Sequence, residues 1–182
     1  KVVGGYDFAG NDYDATGDLG SPTPSPDPDP LDCNGHGSHV SGTAAGNGVL
    51  ANGTAYSGPY DSTTQASAFK VGPGVAPEAE LFGLKVFGCD GSTDVTIDAL
   101  EWVGTFNLAN ADPIDVVNMS LGSPFGRADD PTTVATDVLV TAGVVVVTSA
   151  GNSGASAYIS GSPGAADGAL STAAIDTTAE FP

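Results

Sequence analysis

Both histidines of the chain fall within one short segment, Asn34-Gly35-His36-Gly37-Ser38-His39-Val40-Ser41-Gly42-Thr43-Ala44-Ala45-Gly46. Histidine can take up and return a proton near neutral pH, so a reaction needing base and acid in turn would draw on this segment. Two further polar clusters follow apolar runs: Ser120-Leu121-Gly122 and Ala150-Gly151-Asn152-Ser153-Gly154. Cys33, His36, His39 and Cys89 offer a second chemistry, a Cys₂His₂ zinc centre. The Cys33-x-x-His36-x-x-His39 spacing departs from the paired ligand spacings of zinc fingers, and the residues by themselves leave both chemistries open.

The elements that would hold these clusters follow from periodicity. Leu81 to Phe87, Asp115 to Leu121, Val144 to Ser149 and Leu170 to Ile175 read as buried strands, and Lys1-Val2-Val3 as a β-like start. Thr93 to Asn110 places Ile97, Leu100, Val103 and Phe106 along one side of a helix. Asp130-Pro131 is an N-cap followed by proline at the first helical position, and Gly143 closes the segment, so residues 131 to 142 are predicted helical. By contrast, the Gly, Ser, Thr and Ala content of His36 to Gly46 is poor for a helix, and Asn47 to Lys70 reads as a polar connecting stretch. Ser21 to Pro30, with proline at alternate positions, is an extended surface loop. Alternating strands and helices with apolar strands imply an α/β fold with a mostly parallel sheet covered on both faces. In such sheets ligands bind beyond the carboxyl ends of the strands, where the polar clusters lie.

Composition narrows the function. At 182 residues, with 40% hydrophobic residues, the chain has material for one domain or part of one. Its 22 acidic against 4 basic residues leave a net charge of −18, which repels phosphate backbones and anionic lipid, so no nucleic-acid or membrane partner is expected. The longest apolar run, Val144 to Val147, is far short of the roughly 20 residues of a membrane span.

The histidine segment resembles the histidine motif of the subtilisin-like serine proteases (subtilases). Met119-Ser120-Leu121-Gly122 resembles their substrate-binding strand and Ser149-Ala150-Gly151-Asn152 their oxyanion-hole segment, in the family's order. The resemblance covers about Asn34 to Ile175 and implies a three-layer subtilisin-like architecture and serine endopeptidase activity on an extended polypeptide. By this resemblance His36 corresponds to the general base and Asn152 to the oxyanion-hole amide, while His39, one turn on from His36, is expected to pack and hydrogen-bond. Ser120, Leu121, Gly122, Ala150 and Gly151 would line one side of the substrate cleft and Gly91, Ser92 and Thr93 the facing edge. Gly122 and Gly151 would leave room for a substrate side chain, and Gly161 corresponds to the base of that pocket. No cofactor is implied, and calcium in the loop between Gly46 and Lys70 is left open.

Cys33 and Cys89 resemble positions that some secreted subtilases join by a disulfide, in keeping with the even cysteine count of an acidic chain and with an extracellular location.

The departures from the pattern also inform. No Asp is followed by Ser-Gly or Thr-Gly, no Gly-Thr-Ser occurs, and Asp7 lies past the turn that carries the family's aspartate. Residues 1–182 are therefore expected to be the central part of a single catalytic domain, with the catalytic Asp upstream and the Ser downstream, and to be inactive alone. Ala174-Ile175-Asp176-Thr177-Thr178 resembles the point where one subgroup carries a protease-associated insertion. A subtilase-like binding module without a nucleophile is the alternative function.

Overall fold

The structure, a computed structural model, describes residues 1–175; Asp176, Thr177 and Thr178 of the expected insertion point lie outside the described residues. The elements run β1 (Val2–Asp7), α1 (His36–Ala45), β2 (Val49–Leu50), a 3₁₀ turn (Ala66–Ala68), β3 (Phe69–Val71), β4 (Leu81–Lys85), α2 (Thr96–Ala109), β5 (Val116–Met119), α3 (Pro131–Thr141), β6 (Val145–Ser149) and β7 (Leu170–Thr172). They divide into two compact units, Lys1–Val95 and the residues from Thr96 on.

In the first unit β1 pairs in parallel with β4, Asp7 standing opposite Lys85. The strands approach so closely that a Cβ on Gly5 would lie 2.0 Å from the carbonyl oxygen of Gly83, which only glycine permits. At the end of β1 the buried Asp7 carboxylate accepts the N–H groups of Ala9 and Gly10 at 2.8 and 2.7 Å and pairs with Lys85 Nζ at 2.5 Å. Lys85 also donates to Asn11 Oδ1 at 2.7 Å. Those bonds compensate the desolvation of the pair, and they commit Asp7 to closing the turn after β1.

One expectation fails in this unit: the stretch expected to be polar and connecting contains β2 and, at its end, β3, an antiparallel pair. The segment whose composition is poor for a helix is α1, with His36 in its first turn. Weak propensity is overridden at α1 by the Asp32 carboxylate, which supplies its cap.

In the second unit β5, β6 and β7 form a parallel sheet in that order, with Val116 opposite Val145 and Val147 opposite Leu170. Asp130 accepts the N–H groups of Thr132 and Thr133 at 2.9 and 3.4 Å, the cap its sequence predicts for α3. The turn between α2 and β5 is fixed by Asn107, whose side chain donates to the Ile114 carbonyl at 2.9 Å and accepts its N–H at 2.7 Å. Leu100, Val103, Met119, Leu139, Val144 and Val146 form the core.

All the predicted elements of this unit occur, shorter by a few residues at their ends. Buried and exposed positions alternate along β5 and β6, and Val116 and Val145 remain 55% and 47% exposed. The architecture is α/β with parallel strand pairing, the class the sequence implies. Among the described residues no helix is long and apolar enough to cross a membrane.

Candidate active site

His36 is the first residue of α1, a position that Gly35 leaves without a cap of its own. Gly35 takes φ of 98° and carries no side chain, so the free N–H groups of the first turn need another acceptor. Asp32 provides it: Oδ1 accepts from Asn34 and Gly35, each at 2.9 Å, and Oδ2 from Ser38 at 2.7 Å. These donors, Gly35 first and then Ser38, hold the Asp32 carboxyl well below the usual carboxylate range. Asp32 thus fixes the turn that presents His36. An aspartate just before the histidine segment is the sort of residue that starts helices, a signal masked by the low propensity of residues 36–46.

A carboxyl whose folded pKa lies below its unfolded value near 3.9 contributes stability above that value and loses it as the pH falls toward the folded one. Hydrogen-exchange protection of residues 34–38 should therefore be constant near neutrality and decline below about pH 4. Asp32→Asn should weaken the protection at neutral pH and flatten its acid dependence. Protection in the variant equal to that of the native protein at pH 7 would exclude the cap.

Cys33 and Cys89 are joined, with Cα atoms 5.1 Å apart. Both sulfurs are consumed by this bond, so neither is free to ligate zinc. Asn34 Nδ2 donates to the Cys89 carbonyl at 2.8 Å, a second tie between the histidine turn and the segment leading to Gly91, Ser92 and Thr93. The denatured, unreduced protein should show no reactive thiol from this pair, whereas two per chain would contradict the bridge.

In the second unit the polar clusters follow their strands. Ser120 is the first residue after β5, and its hydroxyl accepts from Asn118 Nδ2 at 3.1 Å. Ser149, the last residue of β6, donates its hydroxyl to the Leu121 carbonyl at 3.1 Å, which ties the Ser120-Leu121-Gly122 segment to the one carrying Ala150, Gly151 and Asn152. Thr148, buried on the same strand, leaves its hydroxyl without a hydrogen-bond partner among the described residues and is no candidate nucleophile.

A Cβ on Gly151 would meet nothing within 4 Å, as an open pocket wall requires. Gly122 and Gly161 differ: a Cβ on Gly122 would lie 2.8 Å from the Ser162 carbonyl oxygen, and one on Gly161 would lie 1.9 Å from that of Ser123. Their lack of a side chain lets Ser123 and Ser162 exchange two backbone hydrogen bonds, each at 3.0 Å, so Gly122 corrects the expectation of open space. Gly161 itself is buried.

His36 and Asn152 are both exposed, and neither side chain bonds to another described residue. An exposed imidazole on a fixed helix turn can exchange protons with a bound molecule, and an exposed amide after a strand end can donate to a developing negative charge.

The sequence pattern of the Subtilase family (peptidase S8) matches residues 6–181. The chain is 36% identical over 172 residues to the minor extracellular protease Vpr of Bacillus subtilis (strain 168), covering 93% of this chain and 17% of the relative. With subtilisin DY of Bacillus licheniformis the identity is 32% over 182 residues, 97% of this chain and 51% of the relative. Among solved structures, sphericase superposes with a TM-score of 0.68 at 30% identity, over 99% of this chain and 49% of that one. The chain thus spans about half or less of the length of these relatives.

Proposed function

The chain belongs to the subtilase family, and on that premise we propose that the whole protein is a secreted serine endopeptidase acting on extended polypeptides. What supports this most is the position of His36, exposed on the capped first turn of α1 within the segment that resembles the family's histidine motif. A serine supplied from outside residues 1–182 attacks the scissile carbonyl carbon while His36 accepts the hydroxyl proton. Asn152 donates its side-chain N–H to the oxygen that becomes negative. Collapse of the tetrahedral intermediate expels the amine, which takes its proton from His36, and water then hydrolyses the acyl-enzyme by the same route in reverse.

The backbone of Ser120 to Gly122 pairs with the substrate, Gly91 to Thr93 supply a further substrate edge, and Ala150, Gly151 and Gly161 shape the pocket for the residue before the cleaved bond. The molecular reasons to expect an extracellular setting are the Cys33–Cys89 bridge and the acidic surface. Hydrolysis of a chromogenic peptide amide by the whole protein, stopped by a sulfonyl fluoride, is the expected result. A folded whole protein that binds peptides without cleaving any would identify it as a binding module instead.

A further inference from the structure

We infer that Asp14 is a positioning residue for the substrate edge, turning one side of the Gly91-Ser92-Thr93 segment toward the protein so that the other side is free to pair with a peptide. The inference rests on the proposed role of that segment as a substrate edge. Asp14 is 1% exposed, far from the sequence neighbourhood of the edge it serves. One oxygen of its carboxylate accepts the Ser92 N–H and the Ser92 hydroxyl, both at 2.8 Å. The other oxygen accepts the Thr16 hydroxyl at 2.7 Å and the N–H groups of Asp18 and Leu19 at 3.0 Å each, which anchors the carboxylate in its own loop.

The next residue completes the arrangement, since Ala15 N–H donates to the Ser92 carbonyl at 3.1 Å. Both backbone groups of Ser92 are therefore engaged on the Asp14 side. Gly91 turns the chain at this point, and the N–H and C=O groups of Gly91 and Thr93 make no hydrogen bond to other described residues. Gly91 is also required by the contact: its φ is 98°, and a Cβ there would stand 2.6 Å from the Asp14 carboxylate. A carboxylate suits the position because every neighbour is a donor. An amide would present its own N–H₂ to donors at one of the two oxygens.

Two peptide amide series decide the matter in the whole protein, one with a single residue before the cleaved bond and one with four, compared for the native protein and Asp14→Asn. The native kcat/KM should rise with length. In Asp14→Asn the value for the long substrate should fall by about tenfold or more, as expected when a charge-assisted bond that orders a binding segment is lost. The value for the short substrate should stay within about twofold, an unordered segment having no effect on a substrate that does not reach it.

Equal losses on both substrates would make Asp14 merely structural and overturn the inference while leaving the substrate edge in place. A native protein whose kcat/KM does not depend on length would remove the edge itself, and the inference with it. Should Asp14→Asn fail to fold, Ser92→Ala, which removes the hydroxyl bond and keeps the backbone one, serves in its place. It should lower the long-to-short ratio by about twofold to fivefold, the usual effect of one such bond, and an unchanged ratio would overturn the inference.

Discussion

His36→Ala in the whole protein should lower kcat by on the order of 10⁴-fold or more, the scale known for triad histidines, subtilisins among them. Without the imidazole the serine keeps its proton at neutral pH, and the departing amine has no acid to protonate it. The fold should be unaffected. His36 is exposed, its ring bonds to no described residue, the cap of α1 comes from Asp32, and alanine is a better helix former than histidine. The thermal midpoint should therefore stay within a few degrees of the native value while turnover disappears. Turnover within about tenfold of native would deny His36 the role of general base.

Asn152→Ala should cost roughly 10²–10³-fold in kcat with little change in KM, a range that comes from subtilisin itself. The amide donor bonds more strongly to the oxyanion than to the ground-state carbonyl, so its loss appears in kcat. The side chain is exposed and unbonded within the described structure, so stability again gives no competing explanation. A rise in KM with kcat preserved would place Asn152 in substrate binding and take it out of the oxyanion hole.

Much of the second unit was legible because its signals are local. The cap at Asp130, the proline after it and the glycine closing α3 each act within a few residues, and the apolar runs of β5 and β6 mark them as strands even though Val116 and Val145 stay exposed. The first unit hid more. The α1 segment has poor propensity and only one fully buried residue, Ala45, so neither composition nor periodicity announces it; the Asp32 carboxylate does the stabilising.

The Asp14 contact to Ser92 joins positions 78 apart, and nothing in the residues around Asp14 marks its partner. Gly122 and Gly161 show a different limit. A glycine in a sequence can mean room for a ligand or close approach of another strand, and here the Ser123 and Ser162 pairing accounts for both. The cysteine pair was open to two chemistries until the Cα separation of 5.1 Å settled the bridge.

The most direct measurement is the labelling of the whole protein by a fluorophosphonate, which a serine activated by a histidine attacks with loss of fluoride. The native protein should gain one adduct, on a serine outside residues 1–182, and His36→Ala should label slower by orders of magnitude. An adduct on a serine within residues 1–182, or equal labelling of His36→Ala and the native protein, would contradict the assignment of His36 as the base of a subtilase peptidase.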